Sequence, residues 1–180
     1  MFYMFFADGF EEVEAIAALD VIRRAGIDIE SIGIGSKEIT GSHGITVICD
    51  KEDSDIITSD DLEGIILPGG MPGTMGLINS NVVDSFIDYC VSKDLLICAI
   101  CAAPMILGRK GILDGRNAVC FPGFEDELKG ATISDEYVCT DGKIITAKAC
   151  GVALKFGKVI AEQFIGKEKA DALWESLYND

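Results

Sequence analysis

Strand-length apolar runs and helix-length amphipathic segments alternate from one end of this chain to the other, and that alternation limits the fold more than any other feature. Residues 1–7 are an apolar run that turns at Asp8-Gly9. From Glu11 to Ala25 the positions Val13, Ile16, Ala17, Leu19, Val21 and Ile22 predict a helix facing a core. Glu11, Glu12 and Glu14 load its first turn, Arg23 and Arg24 its last, and Gly26 stops it, as the helix dipole favours. Further strands are predicted over 27–34, 45–49, 64–67, 95–100, 119–120, 136–140 and 143–148. Helices are predicted over 82–91, 102–110, 151–165 and 167–178. The acidic stretch 50–61 reads as surface loop with a short helical turn. Repeated β-then-α order implies right-handed crossovers, hence an α/β fold with a doubly wound, mostly parallel sheet sandwiched by helices. Neither a linker nor a repeat divides the 180 residues, so one domain over 1–180 is expected.

Composition narrows the function. The chain is 49% hydrophobic with a mean hydropathy of +0.31. A sheet covered on both faces accounts for that without a membrane, and no apolar stretch approaches the ~18 residues a spanning helix needs. The opening Met1-Phe2-Tyr3-Met4-Phe5-Phe6 run lacks a basic flank and reads as a strand, not a signal peptide. A net charge of −15 argues against nucleic-acid or anionic-membrane partners. The seven cysteines are odd in number and mostly inside apolar segments, which favours reduced thiols and a cytoplasmic location.

Ligands in such sheets bind beyond the carboxyl ends of the strands. Three turns should gather there: Asp8-Gly9 to Glu14, Pro68-Gly69-Gly70, and Ala99-Ile100-Cys101-Ala102-Ala103-Pro104. The third has the character of a nucleophile elbow, because a nucleophile between strand and helix needs small residues two positions either side, here Ala99 and Ala103. Pro104 suits a first helical turn. A thiol there is either activated by the helix N-terminus and free amides or is one more small core residue. In the first case the Ala102 amide and the Gly70 amide supply donors, and Gly69 and Gly70 let backbone approach the sulfur. Cys98 is no redox partner: an extended 98–101 segment separates the Cα atoms by ~10 Å, beyond the ~7 Å disulfide limit. A lone C-x-x-C with one distant histidine is no zinc site.

Together, Asp8-Gly9-Phe10-Glu11-Glu12-Val13-Glu14, Arg23-Arg24-Ala25-Gly26-Ile27, Leu67-Pro68-Gly69-Gly70 and Ala99-Ile100-Cys101-Ala102-Ala103-Pro104 resemble the DJ-1/ThiJ/PfpI superfamily, in its DJ-1-like branch. The resemblance implies a flavodoxin-like sandwich and a homodimer. It places an oxidisable nucleophile on Cys101, a protonated carboxyl on Glu14 and a facing amide on Gly70, with no cofactor and no metal. It implies redox sensing or protection against oxidative or carbonyl stress. The alternatives are a cofactor-free glyoxalase or deglycase acting on small aldehydes through Cys101 and Glu14, and a chaperone-like binding protein. A carboxylate and a thiolate in contact cannot both ionise comfortably, so the shared proton is expected on Glu14; otherwise Glu14 is a solvated first-turn charge.

Departures from the family pattern matter equally. Many relatives place a histidine beside the cysteine or just before a proline. Here those places read Ala102 and Cys120-Phe121-Pro122, which argues against a hydrolase or protease. The sole histidine, His43, falls where some relatives carry an arginine leaning toward the partner's site. It is expected to be a surface histidine, with an approach to Cys101 across a dimer as the alternative. The usual Gly-Pro-Gly-Thr reads Ala149-Cys150-Gly151-Val152, which brings a second thiol, Cys150, near the pocket or fills a core gap.

Overall fold

A computed structural model of the chain describes residues 1–177. In chain order the elements are β1 (Phe2–Phe6), α1 (Glu12–Arg24), β2 (Ile29–Gly33), β3 (Glu38–Thr40), β4 (Thr46–Ile48), β5 (Lys51–Glu52), β6 (Gly64–Leu67), α2 (Gly73–Ile78) and α3 (Asn81–Lys93). They continue with β7 (Leu96–Ile100), α4 (Pro104–Arg109), β8 (Asn117–Ala118), β9 (Thr132–Ile133), β10 (Val138–Asp141), β11 (Ile144–Ala147), α5 (Ala153–Ile165) and α6 (Lys167–Leu177). The main sheet has the order β10-β11-β7-β6-β1-β2-β5 and is parallel except for β10, which runs antiparallel to β11.

Continuous apolar strands here serve two cores at once. In β1, Tyr3 and Phe5 point to one face, beside Phe86 and Ile87 of α3 and Met105 and Ile106 of α4. Phe2, Met4 and Phe6 point to the other, with Ala15, Ala18 and Ile22 of α1 and Phe156 and Ile160 of α5. This period-two division explains why no polar residue interrupts Phe2–Phe6, all five of which are buried. Gly157 lets α5 lie close on α1, since a Cβ there would stand 2.9 Å from the Val21 Cβ.

Because β1, β6 and β7 are adjacent and parallel, the turns that follow them emerge on one rim. The expected elements occur with shifted bounds, except that residues 119–120 form no strand. The helix expected from Ala102 begins at Pro104, the strand nearest to Val119-Cys120 lies at Asn117–Ala118, and residue 178 of the last expected helix lies outside the described residues. The segment α2, the hairpin β3–β4 and the short strands β5 and β9 were unmarked, apart from the 45–49 run that contains β4.

One expectation fails in an informative way. Val13 and Ile16, read as core-facing, are 53% and 40% exposed, while Glu12 and Glu14 are buried. The helix is rotated so that its first turn buries carboxylates, which happens only where something inside needs them. Among the described residues no helix is long and apolar enough to cross a membrane.

Candidate functional site

The chain leaves β7 at Ile100 and turns through Cys101, Ala102 and Ala103 into α4 at Pro104. Cys101 has φ +64, in the left-handed region that costs a side-chain-bearing residue roughly 1–2 kcal/mol. Backbone bonds hold it there: its N–H donates to Ala147 O at 2.9 Å, and its carbonyl accepts from Phe121 N–H at 2.8 Å. Ala99 and Ala103 are fully buried, as the close passage of strand and helix demands. Cys101 is half-buried.

Gly69 shows how tightly the neighbouring turns converge. A Cβ there would stand 2.6 Å from both the Cys101 Cβ and Glu14 Oε2, so glycine is the only residue that fits. Glu14 therefore stands beside the elbow, and it is only 1% exposed. Local sequence puts it there. The Glu11 carboxylate caps α1 by accepting from the Glu14 N–H at 2.7 Å, and the Glu11 N–H donates to Gly69 O at 2.9 Å, tying the helix start to the turn after β6. The Glu14 carboxylate accepts from the Gly69 N–H at 3.1 Å, and the Cys150 N–H and the Cys101 thiol are its other close polar neighbours. The Ala102 and Gly70 amides lie close to the Cys101 sulfur, and Gly70 has a φ of +91.

Burial pushes the Glu14 carboxyl up to about 7, with the Glu11 charge adding to the rise and the Cys101, Gly69 and Cys150 donors opposing it. Burial also pushes the Cys101 thiol up to about 12, helped by the Glu14 charge and opposed by the two amides. Two acids in one dry site cannot both ionise, so the pair keeps one proton across the neutral range. The shared proton, expected on Glu14, belongs to the coupled pair, and the two groups are placed to pass it between them.

Two residues earlier, Glu12 does a different task, one that sequence reasoning missed. Its Oε1 accepts from the His43 N–H at 2.7 Å and the Ile45 N–H at 3.4 Å, and its Oε2 meets His43 Nδ1 at 2.9 Å and the Ser42 hydroxyl at 3.3 Å. Burial raises its pKa, but the His43 ring and the backbone donors outweigh that and bring it down to about 2. Glu11, Glu12 and His43 gather potential ligand atoms within 4.8 Å of one another. The Glu12 oxygens are already committed to holding the 42–45 turn, however, so the cluster reads as an anchor and not as a metal cradle. His43 itself is a surface residue, its side chain 71% exposed, and its own pKa is raised by the bond to Glu12.

Of the seven cysteines, Cys49, Cys90, Cys98, Cys120 and Cys139 are buried. Cys150 is exposed, at the start of a single 3-10 turn, so the reading of it as core filler is corrected. It borders an apolar groove of about 390 Å³ lined by Val13, Ala17, Val152, Leu154 and Trp174 among others.

The sequence model of the DJ-1/PfpI family matches residues 2–163. The chain belongs to the DJ-1/PfpI family. It is 33% identical over 174 residues to Protein dj-1beta of Drosophila melanogaster, covering 95% of this chain and 92% of that protein. It is 36% identical over 167 residues to Protein DJ-1 homolog B of Arabidopsis thaliana, covering 91% of this chain but only 38% of that longer protein. Its structure superposes on oxidized Toxoplasma gondii DJ-1 with a TM-score of 0.93 at 29% identity, over 98% of this chain and 97% of that one. The flavodoxin-like sandwich expected from the sequence is thus the family's fold.

Proposed function

We propose that this single-domain DJ-1-like protein senses or neutralises oxidants through Cys101, acting in the cytoplasm without a cofactor. The observation that carries the reading is the convergence on one half-buried sulfur of a left-handed backbone, two amide donors and a carboxyl whose pKa lies near neutrality. Glu14 takes the thiol proton as sulfur attacks a peroxide oxygen, and a general base works best when its pKa lies near the working pH. Oxidation carried further, to the sulfinate, leaves Glu14 protonated and able to donate to an S–O oxygen, while the Gly70 and Ala102 amides hold the negative charge. The structural relative described as oxidized fits this chemistry. The test is limited peroxide followed by peptide mass spectrometry. Cys101 is expected to be modified before the other thiols, and Glu14→Leu to weaken that preference; equal modification of all seven refutes the reading.

The pKa of Glu14 also supports a second activity, turnover of small dicarbonyls. The Cys101 sulfur would add to the aldehyde carbon of methylglyoxal to give a hemithioacetal. Glu14 would then carry a proton from that carbon to its neighbour, and water would release lactate and free the thiol. Lactate formation that Cys101→Ser abolishes supports it, and the absence of Cys101-dependent turnover removes it.

A homodimer is the third part of the reading. Val13 and Ile16 on α1 and Ile45 and Ile48 in the neighbouring hairpin are exposed at 53%, 40%, 54% and 78%, an apolar surface suited to a second copy. Sedimentation of wild type against Ile16→Asp tests it, with a shift to monomer expected in the variant.

A further inference from the structure

Cys150 stands apart from the other cysteines. Apart from Cys101, it is the one thiol of this chain that is not buried. Its backbone also lies beside the carboxyl group that faces Cys101: Glu14 has the Cys101 thiol and the Cys150 N–H as close polar neighbours. The sheet enforces this closeness. Ala147 of β11 is the register neighbour of Ile100, and the Cys101 N–H donates to Ala147 O at 2.9 Å, so Cys150 follows three residues after the group that pins the elbow.

The segment carrying Cys150 is short. It is one 3-10 turn, Cys150–Val152, without a side-chain cap, closed by Val152 N–H donating to Ala149 O at 3.0 Å. A Cβ at Gly151 would meet nothing within 4 Å, so open space lies beside the turn. The contrast with Cys98 is informative. That residue lies only three positions before Cys101 in the chain, but it is fully buried in a central strand.

We propose that Cys150 is the resolving thiol of Cys101, so that the protein reduces hydroperoxides through an intrachain Cys101–Cys150 disulfide. The proposal rests on the reading of Cys101 as the oxidant-reactive residue. In the first step the Cys101 sulfur attacks one peroxide oxygen and the O–O bond breaks. The thiol proton passes by way of Glu14 to the departing oxygen, giving water or an alcohol and a sulfenic acid on Cys101. In the second step the Cys150 sulfur attacks the Cys101 sulfur, the S–OH bond breaks, and hydroxide leaves as water with the Cys150 proton. Two electrons have then passed from the two thiols to the peroxide, and an external dithiol restores both. Disulfide formation requires the Cα atoms to come within ~7 Å, so the proposal requires the turn at Cys150 to bring them there.

The test treats the full chain with one equivalent of hydrogen peroxide and maps its peptides without reduction. A peptide pair joined through Cys101 and Cys150 is expected to be the main product, reversed by dithiothreitol and absent in Cys101→Ser. In Cys150→Ser, whose altered side chain is exposed, Cys101 should still react first but accumulate sulfinate several-fold faster, because nothing intercepts the sulfenic acid. Direct conversion of Cys101 to sulfinate at the same rate in wild type and Cys150→Ser overturns this inference while leaving the proposed reactivity of Cys101 standing. A disulfide joining two chains likewise overturns it. Failure of Cys101 to react preferentially removes the underlying reading as well.

Discussion

Glu12 and Glu14 occupy the same turn of α1, are both buried and are separated by one residue, yet their surroundings drive them in opposite directions. Glu12 is surrounded by donors and falls to about 2; Glu14 shares a dry site with a thiol and rises to about 7. A buried carboxylate is thus a fastener or a proton acceptor according to how many N–H and O–H groups meet it. Side-chain type and helical turn are the same in both cases. Only the partners differ.

The strongest way to break the contrast is Glu14→Gln. The amide can still accept from the Gly69 N–H but cannot take a proton, so the peroxide reaction of Cys101 at pH 7 should slow by about 100-fold, read by stopped-flow. Stability should move the other way. Because the folded-state pKa of Glu14 lies above its ordinary 4.5, the native state binds the proton more tightly than the unfolded chain. The native protein therefore loses stability as pH rises from 4.5 through 7. Urea titrations of Glu14→Gln should lack that decline; an identical decline in the variant breaks the assignment.

Glu12→Ala is expected next in size. It strands the Ser42, His43 and Ile45 donors, and should destabilise the fold by about 2–4 kcal/mol in urea melts while leaving Cys101 reactivity largely intact. The pH sign is opposite to that of Glu14. A folded-state pKa near 2 gives stability that is present above 4.5 and lost as pH falls from there through 2, so wild type should show an acid limb that Glu12→Ala lacks.

His43→Ala should do least. An exposed ion pair is screened by water and contributes little, and the rate at Cys101 should not change. A tenfold loss of that rate would instead mean that the ring serves the site, as a cross-subunit approach requires.

The elbow was legible because its signals are covalent and local: an apolar run into Cys101, alanines two places either side, and a proline where a helix begins. The same holds for Pro68-Gly69-Gly70, whose glycines mark a close backbone approach. Facing was harder to read. Pattern reasoning turns Val13 and Ile16 inward and acids outward, and α1 violates it because its first turn serves a site and a loop instead of the core. The 42–45 turn that engages Glu12 lies some thirty residues away, beyond any local pattern. The helix α2 was missed because its six residues include two glycines and show no period, and β3 and β5 because three and two residues carry none.

One last consequence follows from the way Cys101 is fastened at both its N–H and its carbonyl, with the glycine turn abutting its Cβ. Such a sulfur cannot retreat to admit a bulky visitor, because its main chain has nowhere to go. The cradle is fastened on three sides, so its guests must be small.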